Sequence, residues 1–381
     1  MGTLTVRTAG ESHGPAVVAF MEGVPAGLPI DLARIDADLA RRQGGYGRGD
    51  RQKIEKDRAE ILSGVRHGRT IPGPLVLVVR NRDSRLEECT EVSRPRPGHA
   101  DLGGALKYLD GDMRNILERA SARETAGRVA AGAVAKALLA EFGVEVLAYV
   151  TRVGPVVAGV PADLAERRKR RDSSELYMPD PKAEPAMKAA IDAAKEAGDT
   201  LGGIIECVAT GLAPGLGSHT QWTEKLDGRL ARAVMSIQAI KAVEFGLGFA
   251  VAERPGSQVH DPITYDPAAQ RTASLGYDRP TNNAGGVEGG MTNGQPLVLR
   301  VAMKPISTLA RPLASVNLRT KQPEEAAYER SDTCAVAAAS VVVEAVVATE
   351  LAGAMIEKFG GDSLAQMRAS YEAWRRAALE L

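Results

Sequence analysis

Two stretches of this 381-residue chain, 126–140 and 335–349, are built largely of alanine and valine and are apolar on almost every helical face. A helix without a polar stripe has no side to turn toward water and must be covered all round. Neither run reaches the ~20 apolar residues of a bilayer-spanning helix, and Glu344 interrupts the second. The soluble solution is a layer of closely packed helices covered by sheet on both faces.

The remaining pattern supplies those sheets. Runs rich in valine and isoleucine, bounded by Gly or Pro, predict strands at 3–8, 16–22, 74–80, 145–153, 203–210, 248–253 and 296–303. Helical spacing predicts helices at 31–42, 121–142, 185–197, 223–237 and 331–359. Asp31 is the expected N-cap of the first, and Ser121 with Glu124 the expected capping box of the second. Strands and helices do not alternate regularly, which favours antiparallel sheets over a doubly wound parallel one. The expectation is an α+β chain: a β-α-β sandwich of two antiparallel sheets around buried helices, internally duplicated, forming a single domain over 1–381. Residues 167–174 (RRKRRDSS) read as an exposed, solvated loop.

Composition excludes several functions. Lys+Arg and Asp+Glu both number 48, and aromatics make up only 4%. That speaks against a nucleic-acid binder, which needs surplus positive charge and stacking platforms, and against an anionic-membrane binder. The three cysteines, Cys89, Cys207 and Cys334, are widely spaced with no Cys/His ligand spacing, which argues against a disulfide scaffold or structural zinc, and no metal is expected. The first residues contain no apolar signal core. A cytoplasmic chain is the expectation.

The chemistry-bearing residues cluster in glycine-rich segments. Gly10-Glu-Ser-His-Gly14 matches a G-x-S-x-G nucleophile pattern, but the following residues read as a strand where a hydrolase elbow needs a helix. It predicts a tight turn displaying Ser12 and His13. The segment 41–51 alternates glycines at 45, 47 and 49 with Arg42, Arg48 and Arg51, suited to a small anion or, taken alone, to an RNA patch. His99 lies in a Pro/Gly-stiffened loop with Arg96 and Asp101, fit for proton transfer or simply bonded to Asp101. Arg119, Ser121 and Arg123 precede a helix N-terminus, which attracts anions and also needs capping. Lys304, Ser307 and Thr308 form a turn of phosphate-cradle type after a strand. The segment 282–291, including Gly289, suits the approach of a flat ring or is a plain loop. Ser331 and Asp332 open the long helix, where capping is the bland alternative. His67, His219 and His260 have no matching partners.

Taken together and in this order, these segments resemble the chorismate synthase family. The resemblance runs from GESHG at residue 10, through RASARETA at 119–126, to RSDTCAVAAASVVVE at 330–344, with GYGRG, GHAD, SIQAIK, GGVEGGMTNGQ and KPIST between them. Two positions depart from it: Gln238 where many members carry Asn, and Ala120 where Ser is common. The resemblance implies a lyase of the shikimate pathway to aromatic amino acids. It would convert 5-enolpyruvylshikimate 3-phosphate to chorismate and phosphate with reduced FMN and no net redox change. It also implies the same sandwich fold and a homotetramer. By resemblance, His13 protonates the leaving phosphate, His99 sets the protonation state of the flavin, and Asp332 assists proton removal at the flavin nitrogen. FMN contacts carry over to Arg119, Ala120, Ser121, Gln238, Ala239, Gly289, Lys304, Pro305, Ile306, Ser307, Thr308 and Arg330. Arg42 and Arg48 match positions assigned to NADP, yet with Ser12, Arg51 and Arg123 they suit the substrate's anionic groups equally. No flavin-reducing segment is evident, so an external reductase is expected, with NADPH a potential electron source. The nearer rival, a flavin or NADPH oxidoreductase, lacks a dinucleotide fingerprint.

Overall fold

The computed structural model describes residues 3–49, 54–329 and 331–381. The first sheet contains β1 (Thr5–Ala9), β2 (Ala16–Glu22), β3 (Ala59–Ser63) and β4 (Leu75–Arg80), in the order β1-β2-β4-β3. Three helices follow: α2 (Asp101–Tyr108), α3 (Arg114–Ala120) and α4 (Thr125–Ala140), α1 being Leu32–Gln43 between β2 and β3. The second sheet contains β5 (Glu145–Val153), β6 (Gly203–Thr210), β7 (Ile240–Phe245) and β8 (Leu297–Met303), in the order β7-β8-β6-β5, with Val156–Val157 on its outer edge. Between its strands lie α5 (Leu164–Ser173), α6 (Glu184–Glu196) and α7 (Leu226–Met235). The chain ends in α8 (Val336–Phe359) and α9 (Leu364–Leu379). Every pairing in both sheets is antiparallel.

The two all-apolar helices occupy the middle. α4 lies against β2 and β4, α8 against β5 and β6, and the two helices pack on one another. Strands facing them alternate as one covered face requires: Val17, Ala19 and Met21 of β2 and Leu297, Leu299, Val301 and Met303 of β8 are buried. Among the described residues, Val336–Phe359 is the one helix long and apolar enough to cross a membrane, longer than the run 335–349 suggests, and 83% of its most apolar window is buried inside the protein. It is a core helix. Small side chains permit the contact: a Cβ added at Gly132 would stand 2.4 Å from Ala345 Cβ. Gly132→Ala is therefore expected to force α4 and α8 apart and to destabilise by about 1–3 kcal/mol, the usual cost of overpacking. Urea unfolding checks it, and an unchanged midpoint would mean that the helices do not need this close approach.

Several local expectations change. Residues 248–253 form a 3-10 helix, not a strand, because Gly246 and Gly248 take positive φ (54° and 59°) and turn the chain. The strand lies just before, in β7, whose charged residues Lys241 and Glu244 mask it. Residues 167–174 are mostly helical: Asp163 caps α5, Leu164 packs on Leu147, Tyr149 and Val208, and Arg171 is buried against Glu344 at 2.7 Å. At Ser121 no reciprocal capping box forms. The Ser121 hydroxyl accepts from the Arg123 N–H, while Glu124 turns to Thr8, Arg128 and Gln238. Nor do Ser331 and Asp332 cap α8, whose N-cap is Ala335.

Candidate functional site

The turn between β1 and β2 displays Ser12 and His13, and buried Asn81 fixes its shape. The Asn81 side-chain amide donates to the carbonyls of Glu11, Ser12 and Gly14, and its Oδ1 accepts from Arg123 Nε at 2.7 Å. Opposite the turn, α3 presents Glu118. One Glu118 oxygen accepts the His13 backbone N–H at 2.7 Å, and the other lies 2.8 Å from His13 Nδ1. Nε2 is 3.6 Å from Asp83. Burial pushes the Glu118 carboxyl up, but hydrogen bonds from His13 and the Arg114 charge outweigh it and hold the carboxyl below its usual range.

His99 is fixed in the same manner. Its Nδ1 stands 2.5 Å from Oδ1 of fully buried Asp101, and Arg96 Nη2 is 3.0 Å from the same nitrogen. A guanidinium only donates, so Nδ1 cannot satisfy both neighbours as an acceptor. Nδ1–H donates to the closer carboxylate, Arg96 Nη2 donates to Asp101 Oδ1 at 3.0 Å, and Nε2 remains for a ligand. Burial raises the Asp101 carboxyl, yet the His99 and Arg96 contacts win and keep it far below the ordinary range.

These groups line one cavity of about 430 Å³, within the ~300–1,000 Å³ common for small-ligand sites. Ser12, His13, Arg42, Arg48, His99, Ala120, Ser121, Arg123, Gln238, Ala239, Lys304, Ile306, Ser307, Thr308 and Asp332 all face it. Arg119 does not: its guanidinium donates to the Gly10 and Thr8 carbonyls and the Thr8 hydroxyl, bracing β1 from behind. Gly289 sits in a hairpin away from the cavity, Pro305 lies outside the lining, and Arg51 and Arg330 fall outside the described residues.

The electrostatics of the cavity are cationic. Its described lining carries Arg42, Arg48, Arg96, Arg123 and Lys304 against Glu55, Glu329 and Asp332. Arg42 and Arg123 share buried Asp57, at 2.8 Å and 2.6 Å. Arg48 pairs with Asp332 at 3.1 Å, and the other Asp332 oxygen accepts the Gly49 N–H at 2.7 Å. Lys304 has no carboxylate within ion-pair range among the described residues. Its Nζ donates to Ser307 Oγ at 2.7 Å, and burial, then the Lys241 charge, push its ammonium below the usual pKa. Buried Arg42 Nε, Arg48 Nε and Gln238 Oε1 have no hydrogen-bond partner among the described residues. Ala239 is held at φ 67°, a strained conformation for a residue with a Cβ. An unpaired cation and orphaned polar atoms around a partly apolar space (Leu117, Ile237, Ile306, Val342) fit an anionic, partly aromatic ligand, and a flavin phosphate satisfies that description.

Comparison with known proteins agrees with this geometry. The family model for chorismate synthase matches residues 4–356. The chain belongs to the chorismate synthase family. It is 59% identical to the chorismate synthase of Geobacter sulfurreducens over 97% of this chain and 98% of that one, and 52% identical to the Enterococcus faecalis chorismate synthase over 97% of each. A crystal structure of a chorismate synthase superposes with a TM-score of 0.81 at 42% identity, covering 100% of this chain and 99% of the other. Within this chorismate synthase cavity, the residues that sequence reasoning missed or gave no role are supports: Glu118, Asp83, Asp57 and Asn81. Asp101 was visible two positions after His99, whereas Glu118 lies 105 residues from His13 with no motif to join them.

Proposed function

We propose that this chain is a lyase that converts 5-enolpyruvylshikimate 3-phosphate to chorismate and phosphate by anti-1,4-elimination, with reduced FMN held in the cavity. The observation that carries the reading is the pair of histidines on one cationic cavity, each fixed through Nδ1 by a buried carboxylate. Lys304, Ser307 and Thr308 would hold flavin with Gln238, Ala239, Ala120 and Ser121. Reduced flavin supplies electron density to the allylic system as phosphate departs and a basic nitrogen for the proton lost from the ring. Arg48 and Arg123, backed by Asp332 and Asp57, anchor the carboxylates and phosphate of the substrate. His13, its Nδ1 committed to Glu118, delivers a proton to the leaving phosphate from Nε2. His99 would offer Nε2 to the cofactor and set its protonation state, and Asp332 would assist proton removal at the flavin nitrogen. Arg42 is buried and engaged with Asp57 and Thr125, which supports an internal brace for the anion site over a contact to NADP.

The same reading takes residues 1–381 as one duplicated domain. Each half contributes four antiparallel strands and a closing helix, and numbering the strands within each half gives the order 1-2-4-3 twice. It also takes the active assembly as a cytoplasmic homotetramer whose flavin is reduced by an external enzyme, with NADPH as the electron source.

Substrate and FMN share the cations, so binding one should order the site for the other. FMN titrated in the presence of the substrate should bind more tightly than alone, and both affinities should fall with added salt. Equal FMN affinity with and without substrate would count against a shared cavity.

A further inference from the structure

The segment after β4 brings Cys89 to the back of the His13 turn. The Arg85 and Leu86 N–H groups donate to the His13 carbonyl at 3.0 and 3.1 Å, and the single turn Leu86–Glu88 closes on Cys89. A ring nitrogen of His13, the Cys89 sulfur and a Glu118 oxygen thereby lie within 4.8 Å of one another. Glu118 is buried, His13 and Cys89 are half-buried, and Cys89 does not line the cavity. Imidazole, thiol and carboxylate converging on one point are a zinc-type donor set of three, the number that zinc sites with a water as fourth ligand use. We propose that these three side chains form a site for a soft divalent cation of the zinc class, and that its occupation withdraws His13 from proton delivery.

The surroundings suit the assignment. A cation bound through Nδ1, the nitrogen beside Glu118, leaves Nε2–H toward Asp83 on a ring that can no longer become imidazolium, so this N–H is too weak an acid to protonate phosphate, and a carboxylate on the far ring nitrogen commonly orients a metal-bound histidine. Arg114 opposes a cation there through Nη1, which donates weakly to Glu118 at 3.5 Å, while its other nitrogens donate to Glu329 at 2.7 Å and to the Thr90 carbonyl. Binding displaces the Cys89 thiol proton and the Nδ1 proton to solvent. Burial raises all three thiols, but Cys207 and Cys334 are buried and belong to no such donor group among the described residues, whereas Cys89 is half-buried.

The inhibitory half of this proposal rests on the functional reading above, whereas the binding half does not. Titrating the flavin-free full-length chain with Co²⁺ should give a near-ultraviolet thiolate-to-cobalt absorption band. That band should be missing in Cys89→Ser, which should retain the wild-type unfolding midpoint. Asp83→Asn should weaken cobalt binding by roughly 10–100-fold, the usual effect of removing an orienting carboxylate. Zn²⁺ should inhibit wild-type turnover reversibly, with recovery on adding a chelator. Cys89→Ser should keep its basal turnover and lose that inhibition. No band in the wild type, a band that survives in Cys89→Ser, or equal zinc inhibition of both proteins would overturn the proposal. A wild-type chain that shows the band but no lyase turnover would support the site and count against the function.

Discussion

His13→Ala and His99→Ala should each cut turnover by roughly 10²–10⁴-fold, the range expected for a positioned proton donor or acceptor. Both side chains sit in turns, so folding should be nearly intact, and matching urea-unfolding curves would establish that the loss is chemical. The two variants should differ in kind. Loss at His13 should spare flavin binding and be partly rescued by a substrate with a better leaving group. Loss at His99 should shift the pH at which bound reduced flavin changes protonation state, read from its absorption spectrum. Near wild-type rates for both at saturating substrate and FMN would leave catalysis to the cations and flavin alone.

The largest stability effect is expected at a residue outside the cavity lining. Glu344 interrupts the apolar face of α8 and is buried among three cations: Arg41 at 2.5 Å, Lys136 at 2.9 Å and Arg171 at 2.7 Å. Its second oxygen also accepts the Ala148 N–H at 3.0 Å. Glu344→Gln keeps the shape but leaves those cations short of their anion, and removing one partner of a buried pair costs about 3–5 kcal/mol. Burial raises the Glu344 carboxyl, but Lys136, Arg41 and Arg171 together hold it far below the ordinary range. Its contribution is therefore complete above the unfolded carboxylate pKa of ~4.3 and is lost as pH falls below that value toward the folded one. Wild-type stability should drop as the medium is acidified through that window, and the Gln variant should show a flatter slope. Equal stability of the two proteins at neutral pH would mean that the cluster contributes nothing net.

Much of this was legible in sequence because two local signals are strong. Helices apolar on every face dictated a covered layer, and the Val- and Ile-rich runs bounded by Gly or Pro supplied its sheets. The invisible parts are those that long-range packing decides. The β7 edge strand carries Lys241 and Glu244 three positions apart, which breaks both the apolar run and the strict alternation that mark a strand. The arginine-rich run became α5 because Leu164 found the outer face of the second sheet and Arg171 found Glu344, 173 positions away. At the site, glycine-flanked motifs revealed groups that line the cavity, since close approach requires small residues and short turns. They could not reveal Glu118, Asp57 or Asn81, whose roles exist only once β4 and α3 stand beside the His13 turn. Arg119 shows the reverse case, a motif arginine that the fold spends on the carbonyls of β1.

The central claim is elimination that needs reduced flavin without consuming it. An anaerobic assay with 5-enolpyruvylshikimate 3-phosphate and catalytic reduced FMN measures it directly, by following phosphate, chorismate and the flavin spectrum together. The account predicts equal amounts of phosphate and chorismate, many turnovers per FMN, and flavin that ends reduced. Oxidation of one flavin or one NADPH for each product formed would contradict it and make the chain an oxidoreductase.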